Sequence, residues 1–460
     1  MFRKVKKIHF IGIGGIGMSG IAELLLNLDF EVTGSDLAES DIINNLVKKG
    51  AKVFKGHDAS NVGDCDVVVY SSAVREDNPE LMEARDRNLI VIKRAEMLGE
   101  LIALKDTSIA IGGTHGKTTT SSMIGNLLSA TDMDPTLVVG GLVSNLNTNS
   151  QLGSGDIIVV EADEYDRSFL VLRPTISIIT NIELEHTDCY SDLDDLQRAF
   201  VQFSNSVPFY GAVIACLDSP GVQDILGEIK RPVVTYGFSN QADFRAENIE
   251  FHGTKSSYTV FYQGEELGKV TLNVPGKHNV LNSLAAVALG IELGLSIDQI
   301  VHGLSQYIGV RRRFDIKGTA QDIMVVDDYA HHPTEVKATL SAARQGWDRR
   351  IVAVFQPHLF TRTRDFYKDF ATAFLKCDVL VVLDVYPARE EPIPGINGEI
   401  VAKAARDLGH KNVHYVQNIE DLLSELKKIG KPGDMVITLG AGHVWRYSEK
   451  YFNELNGENN

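Results

Sequence analysis

The sequence predicts an α/β protein of three domains. Short apolar runs of strand length alternate with helical patterns along almost the whole chain, as they do in parallel sheets covered by helices. The length of 460 residues exceeds that of one ordinary domain. Glycine-rich turns between a strand and a helix occur near the N-terminus and again after residue 110, where the strand-turn-helix pattern restarts. We therefore expect domains over residues 1–105, 106–310 and 311–460.

The composition is that of a globular protein with a large core, since 44% of the residues are hydrophobic and 23% are charged. A formal net charge of −16 argues against binding to nucleic acid, which requires clustered Lys and Arg. The 4 cysteines lack a CxxC spacing, so we expect neither a zinc site nor disulfides. The N-terminal apolar run contains glycines and no cleavage pattern, which favours a buried strand over a signal peptide. No run approaches the roughly 20 apolar residues of a membrane helix, and we expect a cytoplasmic protein without a membrane partner.

The first domain opens with the strand KIHFIGIG and a glycine motif. Gly12, Gly14 and Gly17 match G-x-G-x-x-G, which lets backbone N–H groups approach a diphosphate at the N-terminus of the next helix. Asp36 closes the following strand, where a carboxylate can accept a hydrogen bond from a ribose hydroxyl. NAD and other nucleotide diphosphates satisfy this pattern equally, so the motif leaves the ligand open within a Rossmann-like domain. We expect the turn to contact its ligand through Gly14, Gly15, Ile16 and Gly17.

The central domain opens with GGTHGKT, which follows the strand SIAI and begins a helix. This is the context of a P-loop, whose amides wrap the β- and γ-phosphates. Lys117 would neutralise the phosphates, and the Thr118 hydroxyl would bind Mg²⁺. Counted from Gly113, the motif is two residues shorter than G-x-x-x-x-G-K-[ST], and counted from Gly112 it is one residue shorter. The residues that we expect to bind ATP here are Gly112, Gly113, Thr114, His115, Gly116, Lys117, Thr118 and Thr119.

Acidic side chains end the strands that follow this loop. The first of these strand ends carries Glu161, Asp163, Glu164 and Asp166. The next one carries His186 within TNIELEH. Strand ends that face a P-loop are where Mg²⁺ would bind, and its preferred ligands are oxygens. We predict Thr118, Glu161 and His186 as metal ligands, whereas Asp163 and Asp166 fit a solvated loop equally well.

The remaining chain contains a different segment and a third set of strands. Residues 232–275 show short alternating strands without a helical period, which predicts a small antiparallel insert in the central domain. After the hinge GVRRRFDIKG, four apolar runs predict a Rossmann-like C-terminal domain. The basic run in this hinge would usually be a solvated face, but we favour a contact with phosphate for at least one arginine.

Two glycine loops in two domains predict two bound nucleotides. A dehydrogenase has no use for the second loop, and a simple ATPase has no use for the first. The pair therefore indicates an enzyme that uses ATP to modify a nucleotide-linked substrate.

The chain resembles the Mur ligases, the ATP-dependent amide-forming enzymes of peptidoglycan assembly. The resemblance is carried by GGTHGKTTT, EADE, TNIELEHTD, GKHNVLNSLAA, DDYAHHPTE, QPHLFTRTRD and GAGH, which occur in this order over all three domains. It implies a ligase that joins L-alanine to the carboxylate of UDP-N-acetylmuramate through an acyl phosphate. It also implies ATP as co-substrate, two Mg²⁺ ions, and a monomer or homodimer. The alternative is a recycling ligase that attaches a preformed murein tripeptide to the same nucleotide.

The resemblance also implies roles for individual residues. Ser71 and Ser72 would lie near the uridine, although a plain strand-end turn also explains this pair. Asn279 and Asn282 would recognise adenine, since an amide offers a donor and an acceptor together. Further ATP contacts would come from Arg313 and Asp328. The amino acid would be bound by Tyr329, His331, His358 and Arg362. The catalytic set would be Lys117, Glu161, His186, His331 and Arg362.

The roles of two residues, and the consequence of one missing lysine, stay open at this stage. His332 precedes a proline and fits a helix-capping or core role as well as a functional one. Leu359 stands where some Mur ligases have an arginine after QPH, so one expected cation is missing. Other Mur ligases use a carbamylated lysine as a magnesium ligand, but no lysine occurs between Tyr190 and Glu228. The missing lysine fits the alanine-adding branch.

Overall fold

The computed structural model describes residues 5–143, 148–186, 189–388 and 390–457. These residues form three sheets of five, ten and six strands, and helices connect most of the parallel strands. The α/β fold class predicted from the alternating pattern is therefore confirmed.

The first sheet is a parallel sheet formed by residues that precede Thr107. Its strands are β1 (Lys7–Ile11), β2 (Glu31–Asp36), β3 (Lys52–Lys55), β4 (Val67–Tyr70) and β5 (Ile90–Lys93). Its helices are α1 (Ile16–Asn27), α2 (Asp41–Lys48), α3 (Pro79–Asp86) and α4 (Arg94–Ile102). The order β3-β2-β1-β4-β5 reverses direction between β1 and β4, where doubly wound sheets bind their ligands. α1 packs through Ile21, Leu24 and Leu25, which are buried and lie on one helical face.

The second sheet carries the P-loop on one of its inner strands. Its strands are β6 (Thr107–Gly112), β7 (Thr136–Val143), β8 (Thr148–Gln151), β9 (Ile157–Glu161), β10 (Ile176–Ile179), β11 (Ala212–Cys216), β12 (Val233–Gly237), β13 (Phe244–His252), β14 (Lys255–Tyr262) and β15 (Glu265–Leu272). Its helices are α5 (Lys117–Ser129), α6 (Leu193–Asn205), α7 (Pro220–Ile225), α8 (Lys277–Glu292) and α9 (Ile297–Ser305). β6 pairs in parallel with both β9 and β10. Ile109 and Ile111 are fully buried, as expected for a strand covered on both faces.

The observed insert differs from the predicted antiparallel arrangement in its first strand. The sheet order is β15-β14-β13-β12-β11-β10-β6-β9-β7-β8, so the insert extends the central sheet. β12 pairs in parallel with β11 and β13, because buried Tyr236 and Phe244 continue the apolar core there. Only the connections from β13 to β14 and from β14 to β15 are the two-residue links that antiparallel hairpins allow.

The third sheet is parallel except at one edge. Its strands are β16 (Asp315–Ala320), β17 (Ile323–Asp328), β18 (Arg350–Phe355), β19 (Val379–Leu383), β20 (Val413–Val416) and β21 (Asp434–Leu439). Its helices are α10 (Pro333–Gly346), α11 (Phe360–Phe374), α12 (Glu399–Asp407), α13 (Leu422–Ile429) and α14 (Val444–Leu455). The order is β16-β17-β21-β18-β19-β20, and only β16 pairs antiparallel within the described residues. The prediction of a third parallel set is thus confirmed.

The chain divides into two compact units. One unit comprises Met1–Glu247, Thr259–Val270 and Leu281–Tyr307, and the other comprises Asn248–Tyr258, Thr271–Val280 and Ile308–Asn460. The boundaries predicted at residues 105 and 310 stay predictions. Among the described residues, no helix is both long enough and apolar enough to span a membrane.

Candidate active site

The glycine turn of the first domain connects β1 to α1. Gly12 adopts a φ of +81°, and its N–H donates to the carbonyl of Ser35 at 2.9 Å. The Asp36 carboxylate accepts a hydrogen bond from the N–H of Gly14 at 2.8 Å. Helix α1 begins at Ile16 without a side-chain cap, so its N-terminal amides keep the character of an anion site. The turn and Asp36 lie together, as predicted.

A cavity of about 580 Å³ opens beside this turn. Four residues of the motif and its surroundings line it: Gly12, Gly15, Asp36 and Ser71. Ser72 is not among its lining residues. The sequence reasoning missed the other lining residues, which include Leu37, His57, Val74, Arg75 and Asn78. The cavity combines apolar walls with a few polar groups, as small-molecule sites do.

A buried polar network stands behind the cavity wall. The Ser35 hydroxyl donates to Glu80 at 2.5 Å and lies 2.9 Å from Nδ1 of His57. Because the single hydroxyl proton goes to Glu80, Nδ1 of His57 must be the donor to Ser35. Glu80 is fully buried and also accepts from Asn61 at 2.7 Å. The network therefore fixes the orientation of one imidazole at the cavity.

The P-loop of the central domain leads from β6 into α5. Its glycines Gly113 and Gly116 adopt φ angles of +134° and +84°. A Cβ on Gly113 would lie 2.1 Å from Oγ1 of Thr180. Only glycine fits this position, because a side chain would strain the backbone at this φ angle and would overlap Thr180. Gly112, the last residue of β6, is buried.

The end of β10 holds the loop in place. The His115 N–H donates to Oδ1 of Asn181 at 2.9 Å, and the Asn181 amide donates back to the His115 carbonyl at 2.9 Å. Thr114 exchanges hydrogen bonds with the backbone of Glu183 at 3.1 and 2.9 Å. The loop is therefore preorganised by the next strand of the sheet.

Lys117 lies at the first position of α5 and pairs with a buried carboxylate. Its Nζ lies 2.9 and 2.7 Å from the two oxygens of Glu164 and 2.6 Å from the carbonyl of Gly113. Burial lowers the pKa of Lys117, but the nearby negative charges, that of Glu164 above all, outweigh it and raise the pKa. Burial likewise raises the pKa of Glu164, and the charge of Lys117 reverses this to a lowered pKa. Both side chains are charged.

Two of the three predicted metal ligands lie together. The Thr118 hydroxyl is 3.2 Å from Oε2 of Glu161, and the Gly140 N–H donates to Oε1 of Glu161 at 2.6 Å. Burial raises the pKa of Glu161, and a bound cation would favour its charged form. A hydroxyl and a carboxylate beside a phosphate loop are hard oxygen donors, which fits Mg²⁺.

The third predicted ligand, His186, belongs to a neighbouring cluster. Its Nε2 lies 3.4 Å from Oε1 of Glu164, and Glu164, Glu185 and His186 could together hold a cation. His186 adopts a φ of +54°, and Asp166 and Arg167 adopt +55° and +54°. Left-handed backbone at non-glycine residues is costly and clusters at functional sites. The predicted set of Thr118, Glu161 and His186 stays a prediction.

The predicted adenine residues lie near the start of α8. A Cβ on Gly116 would lie 2.8 Å from Oδ1 of Asn282, so this side chain contacts the P-loop. The Asn279 amide donates to the Pro275 carbonyl at 2.7 Å. Both asparagines are buried. Thr119, another residue predicted to bind ATP, lies in the first turn of α5. Of the two asparagines, Asn282 has a described contact with the loop.

The four residues predicted to bind the amino acid form one cluster in the third sheet's domain. The rings of Tyr329 and His331 lie 5.1 Å apart, and those of His331 and His358 lie 5.9 Å apart. Nη1 of Arg362 is 3.3 Å from Nδ1 of His358. The end of β17 and the start of α11 thus bring a phenol, two imidazoles and a guanidinium together.

One of the hinge arginines, Arg313, forms an ion pair within the same domain. Arg313 lies 3.4 Å from Glu335, and its guanidinium lies 5.2 Å from the Tyr329 ring. Asp328 accepts from the N–H groups of Phe314 and Ala330, each at 2.8 Å. Burial raises the pKa of Asp328 to about 6. Arg313 and Asp328 therefore border the Tyr329 cluster.

Further residues, to which the sequence analysis assigned no role, adjoin this cluster. The Tyr386 ring stacks on His358 at 5.7 Å and meets the ring of His443 at 4.8 Å. The GAGH motif contains His443 and could have indicated it, but no sequence motif indicated Tyr386. Leu359 adopts a φ of +70° and donates its N–H to the Tyr386 carbonyl at 3.0 Å.

His332 is the N-cap of α10, which was one of its two open interpretations. Its ring accepts a hydrogen bond from the Thr334 N–H at 3.4 Å. Pro333 follows at the first helical position, and Glu335 completes a capping box. The helix-capping role is confirmed.

Comparison with known proteins identifies the domains. The family model described as "Mur ligase family, catalytic domain" matches residues 7–106, and "Mur ligase middle domain" matches residues 111–290. The model described as "Mur ligase, glutamate ligase domain" matches residues 312–442.

Full-length relatives give the same result. The chain is 50% identical to a UDP-N-acetylmuramate–L-alanine ligase of Syntrophotalea carbinolica over 98% of both chains. It is also 50% identical to the protein of that name from Geotalea uraniireducens, over 100% of both. A UDP-N-acetylmuramate-alanine ligase from Thermotoga maritima superposes with a TM-score of 0.83 at 30% identity, over 98% of this chain and 100% of that one. A murein peptide ligase from Psychrobacter arcticus superposes with a TM-score of 0.71 at 26% identity, over 98% of both. The chain, with its two glycine loops and three domains, belongs to the Mur ligase family.

Proposed function

We propose that this enzyme joins L-alanine to the carboxylate of UDP-N-acetylmuramate and converts ATP to ADP and phosphate. The observation that carries the proposal is the presence of two glycine loops at the N-termini of two helices, one beside a cavity and one with a half-buried lysine. The names of the 50% identical relatives support the choice of substrates. We place this reaction in the cytoplasm.

The cavity of the first domain would hold the nucleotide-linked sugar. The turn from Gly12 to Gly17 would bind its diphosphate, and Asp36 and Ser71 would contact the nucleoside. Leu37 and Val74 line the same cavity and offer an apolar surface to the base. NAD would satisfy the glycine motif, but it would leave the P-loop without a role.

The P-loop would bind ATP together with Mg²⁺. Lys117 would contact the β- and γ-phosphates, while Thr118 and Glu161 would hold the metal. The bound metal would neutralise phosphate charge and orient the γ-phosphate. His186 would hold a second ion with Glu164 and Glu185, in place of the carbamylated lysine of other Mur ligases.

The chemistry explains the need for these cations. A carboxylate is a poor acyl donor, because its negative charge is delocalised and the oxide ion is a very poor leaving group. Transfer of the γ-phosphoryl group to the muramyl carboxylate gives an acyl phosphate, from which the amine of alanine displaces phosphate. Two anions approach each other in the first step, so Lys117 and the ion that His186 would hold would stabilise the charge that develops there.

The cluster around His331 would bind the amino acid. Arg362 would pair with the alanine carboxylate, since a guanidinium forms two parallel bonds with that group. His331 and His358 would contact the amine or the reacting carboxyl group, and Tyr329 would form one wall. Leu359 supplies no charge, so Arg362 would be the cation of this segment.

The recycling ligase that adds a preformed tripeptide is the second candidate. The comparisons favour the alanine-adding ligase over it, since the chain is 50% identical to ligases of that name and 26% identical to the murein peptide ligase. One assay separates the two functions: phosphate release from ATP, with UDP-N-acetylmuramate present and alanine, glycine, serine or the tripeptide added in turn.

We expect ATP turnover to require both UDP-N-acetylmuramate and L-alanine. Turnover with the tripeptide and none with alanine would identify the recycling enzyme. Equal ATP hydrolysis without the muramyl nucleotide would contradict coupling altogether. In calorimetry, micromolar binding of NAD without binding of UDP-N-acetylmuramate would refute the assignment of the first cavity.

A further inference from the structure

Tyr386 packs against His358 where the strands of the third sheet end. It follows β19 by three residues, and its N–H donates to the Pro357 carbonyl at 2.8 Å. His358 and Tyr386 form an isolated parallel β-bridge, so their side chains point to the same side of the backbone. The two rings stack at 5.7 Å with 17° between their planes. Backbone pairing therefore fixes the Tyr386 ring beside His358.

A second contact places the Tyr386 side chain on the GAGH segment. A Cβ on Gly442 would lie 2.8 Å from Cγ of Tyr386, so a side chain at position 442 would displace the ring. Gly442 is also close to Gln356, which is buried and accepts a hydrogen bond from the Val444 N–H at 3.2 Å. The ring therefore packs directly on a backbone segment that is itself held in place.

The surface that Tyr386 offers is uncharged, although a cation lies close to it. Nη1 of Arg362 is 3.3 Å from Nδ1 of His358, so the Nδ1 edge of this imidazole faces the guanidinium. His443 meets the Tyr386 ring edge-on at 4.8 Å. Desolvation and two nearby arginines lower the pKa of His443, so this ring is neutral at neutral pH. The cluster thus has a cationic end at Arg362 and an uncharged aromatic end at Tyr386.

We propose that Tyr386 limits the size of the amino acid that the enzyme accepts. The inference rests on the proposed function, which places the carboxylate of alanine on Arg362 and its amine near His331 and His358. An amino acid held by those groups has its side chain left, and Tyr386 supplies uncharged surface beside the same imidazole. A methyl group would pack on this ring, whereas a larger side chain would overlap it, because His358 and Gly442 leave the ring no space to move.

The relative use of different amino acids tests the proposal. Phosphate release is measured with saturating ATP and UDP-N-acetylmuramate, while L-alanine, L-2-aminobutyrate or L-valine is varied. We expect Tyr386→Ala to raise kcat/KM for L-valine relative to L-alanine by roughly 10- to 100-fold, because methylene-sized differences in a pocket have effects of this order. Tyr386→Leu keeps part of the bulk and should give a smaller shift in the same direction.

Tyr386→Phe is the matched control, because it keeps the ring and loses only the hydroxyl. We expect its preference for L-alanine to stay within about 3-fold of that of the wild type. A relaxed preference in this variant would assign the selectivity to the hydroxyl and overturn the size limit. Thermal unfolding of each variant verifies that the fold persists.

A merely structural role of Tyr386 predicts a different result. Loss of packing would lower kcat/KM for every amino acid by the same factor and leave their ratio unchanged. An unchanged ratio in both Tyr386→Ala and Tyr386→Leu would therefore overturn the proposal. KM values for ATP and UDP-N-acetylmuramate should stay within about 3-fold of wild type, since the proposed role concerns only the amino acid.

The outcomes also distinguish this inference from the proposed function. If the wild-type enzyme releases no phosphate with L-alanine, the proposed function is wrong. If the wild type prefers L-alanine and Tyr386→Ala keeps that preference, only the role of Tyr386 is wrong. Equal use of L-alanine and L-valine by the wild type would also overturn this role, because no size limit would then exist.

Discussion

The ammonium group of Lys117 is held by both carboxylate oxygens of Glu164, at 2.9 and 2.7 Å. The Glu164 side chain is only 1% exposed and that of Lys117 only 16% exposed, so the pair is shielded from water. Glu164 thus neutralises the P-loop lysine before any phosphate arrives. A nucleotide phosphate must share or displace this partner.

Lys117→Ala should abolish phosphoryl transfer while UDP-N-acetylmuramate still binds. In the proposed function the lysine acts on phosphate charge in the transition state, and its loss should lower the rate by about 10²–10³-fold or more. In the proposed function the first domain binds its nucleotide with its own loop, so that affinity should persist. Rapid-quench detection of the acyl phosphate, beside equilibrium binding of the muramyl nucleotide, measures both effects.

Two variants serve as controls for Lys117→Ala. Lys117→Arg should not restore activity, because the planar guanidinium is too wide for a loop shaped around an ammonium group. Lys117→Ala/Glu164→Gln should recover stability but not rate, since it removes the unpaired buried carboxylate that costs about 3–5 kcal/mol. Near-normal acyl-phosphate formation in Lys117→Ala would remove the lysine from the mechanism.

Glu164→Gln should strengthen nucleotide binding and weaken the fold. The substitution keeps the shape but removes a negative charge that competes with phosphate for Lys117, so we expect roughly 3- to 10-fold tighter binding of ADP when it is titrated without Mg²⁺. Thermal stability should fall, because Lys117 stays buried without its counterion. Asp166→Asn, in the same segment but half exposed, is the control. Weaker ADP binding in Glu164→Gln would show that Glu164 assists the nucleotide instead.

Gly113→Ala should disable the P-loop through geometry alone. The new Cβ would lie 2.1 Å from Oγ1 of Thr180, at a φ of +134°. Backbone strain of about 1–3 kcal/mol corresponds to roughly 10- to 100-fold weaker ATP binding. Gly227→Ala is the control, because open space surrounds that position. Unchanged ATP affinity in Gly113→Ala would mean that the loop adopts another conformation when it binds.

Glu80→Gln should lower stability at neutral pH and have less effect in acid. Burial raises the pKa of Glu80, but hydrogen bonds from His9, Ser35 and Asn61 outweigh it, and the pKa is lowered from 4.5. A carboxylate with a lowered pKa stabilises the fold above its unfolded pKa and loses this contribution as the pH falls through its folded pKa. We expect a deficit of about 1.5–3 kcal/mol at neutral pH, shrinking below a pH of about 4.5.

Thermal unfolding from neutral pH down to about pH 4 measures this deficit for Glu80→Gln. Glu83→Gln is the control, since Glu83 lies on the same helix but is partly exposed. A deficit that stays constant or grows in acid would contradict the predicted direction.

Local patterns were sufficient for the fold class, the two loops and the family. Strand-turn-helix units such as β6, the P-loop and α5 are contiguous, so their spacing is visible in the sequence. The insert was harder to predict, because alternating strands indicate a half-exposed sheet but not the neighbour with which each strand pairs. β12 became a parallel strand through its contact with β11, which no local pattern contains.

The sequence by itself determined which residue types stand at the P-loop and beside it: glycines in the turn, Lys117 at a helix start, and carboxylates at strand ends. Only the tertiary structure decided which side chains contact these residues, because the contacting side chains come from distant segments of the chain. Glu164 rather than solvent holds Lys117, and His186 joins Glu164 and Glu185. Burial then set the charges, since desolvation and neighbouring charges depend on packing and not on chain order.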